Sequence, residues 1–211
     1  MYLPEAFREI RPEVLQEIIH LNPLGLLVSN CEDGPLASSI PFRLINDGSP
    51  HGVLQAHLAR ANGQCKYLDG QNVLVVFQCA DAYISPRWYP SKEEHGKAVP
   101  TWNYVMVQAR GSARIIDDVS WLKQQVSDLT DQQEQASSKP WKLSDAPASY
   151  IDNHLKAIVG VEILLSKLEG KFKLSQNREV KDRIGVWQNL KMEKKDEMAD
   201  LMQCYGNIDS Q

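Results

Sequence analysis

"VMVQARGSARIID", Val105 to Asp117, alternates strictly, with Val105, Val107, Ala109, Gly111, Ala113 and Ile115 on one side and Met106, Gln108, Arg110, Ser112 and Arg114 on the other. A period of two is the geometry of a β-strand, whose successive side chains point to opposite faces. One face is apolar and the other polar, so this long strand belongs to a sheet that covers a core on one side only.

Outward from it, "GLLVSN" (25–30), "LASSIPFRLI" (36–45), "HGVLQAH" (51–57), "NVLVVFQ" (72–78) and "AYIS" (82–85) read as further strands, split by turn signals at "EDGP" and "NDGSP". "VGVEILLSKLEGKFKLS" (159–175) returns to strand, with Gly170 as a bend or bulge. Helical spacing follows Pro12 (Val14, Leu15, Ile18, Leu21), spans Leu122, Val126 and Leu129 behind a cap at Asp117 or Asp118, links Ile151, Leu155 and Ile158 after Pro147, and ends with Val180, Ile184 and Trp187. A short helix within 58–68 is weakened by Gly63, and 192–202 reads as a mixed-charge helix or a frayed tail. About seven strands without βαβ alternation predict an antiparallel barrel with helices packed outside.

The chain has 211 residues, 43% apolar and 24% charged, with a net charge of −4. That is enough for one ordinary domain with a core of its own. No apolar run reaches membrane length, and "MYLPEAFREI" has no secretion-signal pattern, so a cytoplasmic location is expected. Cys31, Cys65, Cys79 and Cys204 lie far apart with no metal-ligand spacing, so no metal is expected. The acidic balance gives no global attraction for nucleic acid.

The zinc-protease, serine-hydrolase, phosphate-loop and dinucleotide signatures are absent from the sequence. Three stretches remain. In "QAHLARANGQ" (55–64), a strand delivers His57, Arg60 and Asn62 where a helix could begin, either a phosphate cradle or a strand end with an exposed Arg. In "LEGKFKLSQNR" (168–178), Lys171 and Lys173 share a strand face, either the flank of an anion site or a solvated face. "SPRWYPSKEEHGKAVPTWNY" (85–104) holds Trp88, Tyr89, Trp102 and Tyr104 beside Arg87, Lys92, His95 and Asn103. Its prolines argue against a helix or a central strand, leaving a loop that either docks a planar ligand or a partner, or covers one barrel end.

"HLARAN", "AYISPRWYPSK", "VPTWNY", "ARGSARIIDD", "IVGVEI" and "LEGKFKLSQNR", in this order, resemble the PaiB-like family of FMN-binding negative transcriptional regulators, from about Tyr2 to about Leu190. The resemblance implies an FMN-binding split barrel like that of pyridoxamine phosphate oxidases, working as a homodimer with flavin at the subunit interface. It implies a barrel with its N-terminal helix over residues 1–176 and a helical extension over 177–211 packed on it. Where the wider fold holds the flavin phosphate with Ser-Arg-Lys, this chain has Ala59-Arg60-Ala61, so only the Arg matches. His57, Asn62, Lys171 or Lys173 would then replace the missing donors. Ser39, Ile40 and Pro41 fall on the flavin-facing strand and Asn103 where an oxidase contacts the ring, with Trp88, Tyr89, Lys92 and Trp102 enclosing it. A flavin-linked regulator is the first reading implied. A flavin-dependent oxidoreductase or a haem-handling protein, with His57, His95 or His154 as axial ligand, is the second. No helix-turn-helix with a basic second helix is visible, although Lys181 and Arg183 give one helix some basic character.

Overall fold

The computed structural model describes residues 1–208. The strands are β1 (Arg8–Glu9), β2 (Leu24–Cys31), β3 (Gly34–Pro41), β4 (Arg43–Ile45), β5 (Val53–Ala59), β6 (Asn72–Ile84), β7 (Thr101–Ile116) and β8 (Ile158–Lys173). The helices are α1 (Pro12–Leu21), α2 (Cys65–Leu68), α3 (Ser91–His95), α4 (Val119–Glu134), α5 (Ala148–Leu155), α6 (Val180–Met192) and α7 (Asp196–Tyr205). The sheet runs β3-β2-β6-β7-β8-β5-β4, with β1 paired to β8, and its registered pairs are antiparallel. Its two ends are consecutive in the chain, β3 and β4 being separated by Phe42 alone. One extended segment therefore supplies both edges, and the sheet closes on itself as the barrel expected. Closure removes the unpaired edges that an open sheet would leave.

Three expectations change, and at 192–202 one of two alternatives holds. The segments 72–78 and 82–85 are one strand, β6, and the stretch 36–45 breaks at Phe42, whose N–H bonds to Pro23 O. The 85–104 stretch is not an irregular loop. Pro86 opens a 3₁₀ turn (Pro86–Trp88) in which Ser85 accepts from the Arg87 N–H, Pro90 immediately precedes α3, and β7 begins already at Thr101. A proline at the first position of a turn gives up an N–H that the turn does not use. Residues 192–202 are no frayed tail, because α7 buries Met198, Ala199 and Met202.

The chain divides into two compact units, one from Met1–Leu15, Gln78–Val107 and the residues from Glu169 onward, the other from Gln16–Phe77 and Gln108–Leu168. In the second unit, Leu27, Phe42, Leu54, Ala56, Phe77, Val161 and Ile163 are buried, and Phe42 meets Phe77 edge-on at 5.8 Å. Helix α4, capped by Asp118 accepting from the Trp121 N–H, packs on β5. Gly160 leaves the space that Trp121 fills: a Cβ there would lie 2.8 Å from Trp121 Cε3. Gly111 lets β7 approach β8 closely, since a Cβ would meet the Leu164 carbonyl carbon at 2.8 Å and Ile163 Cγ2 at 2.9 Å. In the first unit, Phe172, Leu174, Val186, Leu190, Met198 and Met202 are buried, and α6 packs on the 86–88 turn.

Candidate functional site

In the second unit, the register pairs Ser39 with Leu26 and Pro41 with Leu24, while Ile40 pairs with Gly25. Residues directly opposite share a face, so Ser39 and Pro41 look outward beside Leu24 and Leu26, whereas Ile40 is buried. Val28 with Ala37, and Val76 opposite Leu26, extend this outward face across three strands. It is apolar and uncovered, with Leu24 64% exposed.

The turn after β5 is self-contained. Asn62 Nδ2 donates to Ser38 Oγ (3.0 Å) and its Oδ1 accepts from the Gln64 N–H (2.9 Å). Gln64, fully buried, donates through Nε2 to Leu27 O, Ser29 Oγ and Leu36 O. The helix expected within 58–68 is only the single turn α2, so the helix-dipole part of the expected phosphate cradle is missing. His57 Nδ1 lies 2.8 Å from Oε1 of the buried Gln125 on α4.

Arg60 forks onto Asp117, with Nη1 donating to Oδ2 (2.8 Å) and Nη2 to Oδ1 (2.6 Å). Its Nε donates to Lys156 O and Nη2 also to Ile158 O, both at 3.0 Å. Four of the five guanidinium N–H groups thus bind protein oxygens, tying the end of β5 to the segments at Asp117 and Lys156–Ile158. The paired Arg60, bonding it first of all, holds the Asp117 carboxyl below its ordinary range.

In the first unit, Lys171 and Lys173 do share a face of β8. Lys171 Nζ sits 5.4 Å from the Tyr2 ring centre and 5.5 Å from that of Tyr104. Lys173 Nζ donates to Thr101 Oγ1 (2.6 Å) and to Trp102 O, and lies 6.0 Å from the Phe7 ring. Arg178 stacks over Tyr89 at 4.8 Å. Burial first, and then the Lys171 and Arg178 charges, push the Lys173 amine below the usual lysine range. The expected aromatic enclosure is dispersed: Trp102 is exposed and edge-on to Tyr83, Tyr89 is buried, and Trp88 lies by α6 where Gly185 leaves room for it. Lys92 is exposed on α3 and lines, with Arg87, Trp88 and Gln188, a cleft of about 450 Å³.

Asn103 is fully buried. Its Nδ2 donates to Ser175 Oγ (3.0 Å) and contacts Met202 Sδ (3.4 Å), while Ser175 Oγ donates to Asn103 Oδ1 (3.2 Å). Of the three histidines considered as haem ligands, His95 accepts at Nδ1 from the Lys97 N–H, and His154 Nδ1 lies 2.9 Å from Tyr150 O. Among the described residues no cluster of His, Cys, Asp and Glu is arranged to hold a metal ion, and no helix is long and apolar enough to cross a membrane.

Two separate features match FMN chemistry, one in each unit. Lys171, Lys173 and Arg178 carry three positive charges with no carboxylate paired to them among the described residues, as a phosphate dianion requires. The outward face at Ser39 and Pro41 is apolar and uncovered, as suits the faces of a flavin ring. Sequence reading missed Arg178, Asp117, Gln64 and Gln125. Gln125 alone carried a signal, since it lies three residues after Leu122 and four before Leu129, on the buried stripe of α4.

Comparison with known proteins agrees with this chemistry. Residues 1–167 match the family model described as "Putative FMN-binding domain". An uncharacterized protein of Emericella nidulans is 36% identical over 99% of this chain and 96% of its own length. The protease synthase and sporulation protein PAI 2 of Bacillus subtilis is 30% identical over 96% of this chain and 97% of its own. Among solved structures, the flavocytochrome Anf3 of Azotobacter vinelandii superposes with a TM-score of 0.58 at 15% identity, over 79% of this chain and 69% of that one, a likeness of fold. With its split barrel and these matches, the chain belongs to the FMN-binding domain family, in its PaiB-like group.

Proposed function

We propose that this protein holds FMN as a flavin-linked regulator of the PaiB type and works as a homodimer. The observation that carries the reading is the outward face of β2, β3 and β6, uncovered and apolar, in a chain whose family model is an FMN-binding one. Apolar faces of this kind are kept from water by a ligand or a second copy. Ser39 and Pro41 stand on it as ring neighbours, with Ile40 behind them supplying backbone, and His57 and Asn62 belong to the same unit. Trp88, Tyr89, Lys92, Trp102, Lys171 and Lys173 form the proposed set in the other unit. Asn103 acts there by holding Ser175 rather than by offering its amide.

Bound FMN supplies the redox chemistry. The protein's part is to bind it, exclude water and alter a partner surface. The resemblance to the PaiB-like regulators favours the regulator reading over an enzyme. Signalling through a protein partner is favoured over direct DNA contact, because the basic side chains of α6 are engaged: Lys181 pairs with Glu94 and Glu179, and Arg183 donates to Gly206 O.

The test is the visible absorption spectrum of the purified protein, before and after adding FMN and removing the excess. Two broad flavin bands at one FMN per chain are expected. A colourless protein that retains no FMN refutes the reading, and a sharp Soret band would replace it with haem. Sedimentation of the Leu26→Asp variant tests the dimer: a monomer is expected, and an unchanged dimer removes this face from the interface.

A further inference from the structure

The first unit neutralises several of its cations. Arg11 pairs with Glu9, Lys181 with Glu94, and Lys191 with Asp196 and Asp200. Lys171, Lys173 and Arg178 differ. All three are half-buried, they lie within eight residues of one another, and aromatic rings rather than carboxylates face them. Like charges gathered in a partly dry place repel, so the chain holds them together at a cost that an anion would relieve.

The way Arg178 is brought there points the same way. Ser175 adopts a left-handed backbone (φ 66°), unusual for a residue with a side chain. Reciprocal hydrogen bonds with the buried Asn103 hold it. Gln176 then closes the turn, its Oε1 accepting from the Leu174 N–H and its Nε2 donating to Phe172 O, while the Arg178 N–H bonds to Ser175 O. This reversal leaves the Arg178 charge close enough to act on the Lys173 amine. Strained residues kept in place by buried side chains concentrate at binding sites.

We infer that Lys171, Lys173 and Arg178 form a binding site for a phosphate-class oxyanion, with Asn103 and Ser175 as positioning residues. Two molecules could bring that group, the 5′-phosphate of FMN or a separate small phosphate-bearing effector. Only the first of these rests on the flavin reading proposed above. The site itself rests on the cations.

The experiment measures thermal unfolding and calorimetric binding of the full chain with inorganic pyrophosphate, FMN and the phosphate-free riboflavin. It compares wild type with Lys171→Gln, Lys173→Gln, Arg178→Gln and the charge-keeping Lys173→Arg. Pyrophosphate should raise the wild-type Tm in a concentration-dependent way. Each Gln variant should bind it about tenfold more weakly, as expected for losing a charge-assisted contact, while Lys173→Arg retains binding. Because the Gln variants also lose the cations' own contacts with Thr101, the Trp102 carbonyl and the aromatic rings, the deciding quantity is the pyrophosphate-dependent rise in Tm of each variant over its own anion-free value: a merely structural role lowers the basal Tm and leaves that rise as in wild type. Competition between FMN and pyrophosphate, with riboflavin failing to compete, identifies the phosphate as FMN's, and simultaneous binding identifies a separate effector. No response to any phosphate compound, or Gln variants that respond as wild type does, overturns the site. If those variants still keep FMN, the flavin reading survives that failure. A pyrophosphate response that depends on Lys173, in a protein that retains no FMN, sustains the site and removes the flavin.

Discussion

Asn103→Ala removes the side chain that holds the left-handed Ser175, and its cost can be worked from the structure. Two hydrogen bonds disappear, Asn103 Nδ2 to Ser175 Oγ (3.0 Å) and Ser175 Oγ to Asn103 Oδ1 (3.2 Å). Each is worth about 1 kcal/mol net, and the abandoned Ser175 hydroxyl, if left buried without a partner, adds about 1–2 kcal/mol. The residue is wholly enclosed and its amide also contacts Met202 Sδ, so water cannot easily replace what is lost. The sum is about 3 kcal/mol, a large share of the ~5–15 kcal/mol that holds a domain together. Urea unfolding followed by tryptophan fluorescence measures it. Because the two side chains act through one bond pair, Ser175→Ala in the Asn103→Ala background should add little, giving a coupling of about 1–2 kcal/mol. Full additivity, or an Asn103→Ala variant within about 0.5 kcal/mol of wild type, well under the value of one hydrogen bond, would refute the argument that Asn103 is there to hold Ser175.

Gly111→Ala drives a methyl group onto the Leu164 carbonyl, where backbone must move, and should cost about 3 kcal/mol in urea unfolding, against about 1–2 for Gly160→Ala, where the Trp121 side chain is the nearest obstacle and the Ile116 carbonyl oxygen stands off at 3.2 Å. Equal costs would show that the two sites yield alike. Burial pushes the Cys79 thiol up to about 12. On the order of 10⁻⁴ of it is then thiolate at pH 8, so a thiol reagent should label the exposed Cys204 long before Cys79, and mass mapping that finds them equally modified would contradict the burial. Arg60 lowers the Asp117 pKa in the folded state, so the stabilisation from this pair is present above the ordinary carboxylate range and is lost as pH falls through the depressed value. Asp117→Asn should flatten that part of the acid side of a stability-against-pH curve, weakly and less so at high salt because both groups are exposed; an unchanged acid limb would mean that the pair contributes nothing.

The period-two stretch at 105–117 led correctly to a sheet with one face in a core, because side-chain alternation is a local property. It carried more than was drawn from it. Extended backward, the same parity puts Asn103 on the side of Val105 and Val107, hence inside, and a buried amide needs a built partner. Closure of the barrel was not local: it depends on β3 pairing with β2 while β4, beyond Phe42, pairs with β5, and composition says nothing about such a change of partner. The prolines of the 85–104 stretch misled because they stand at turn starts, where they are compatible with short helices. Arg178 was invisible as a third cation, since serine is not a signal for the left-handed turn that precedes it.

The resemblance and the geometry pull apart at Arg60. Its place in the sequence matches a phosphate-holding motif, yet what decides anion binding is the number of unspent donors and the absence of a competing carboxylate. By that measure Arg60 offers one N–H beside Asp117, whereas Lys171, Lys173 and Arg178 offer three positive charges to which no carboxylate among the described residues is paired. A phosphate arriving at Arg60 would have to displace a bidentate carboxylate and two carbonyls; arriving at the three cations it competes with the Thr101 hydroxyl and the Trp102 carbonyl for Lys173, meets no paired carboxylate among the described residues, and relieves repulsion. Comparing FMN retention in Arg60→Ala with that in Lys173→Gln and Arg178→Gln separates the two places. Loss of FMN in the Lys173 and Arg178 variants alone would mean that this chain has moved the phosphate contact away from the motif, which also explains why the serine and lysine beside Arg60 are alanines. Loss in Arg60→Ala alone would mean that Asp117 is a displaceable latch on the flavin site.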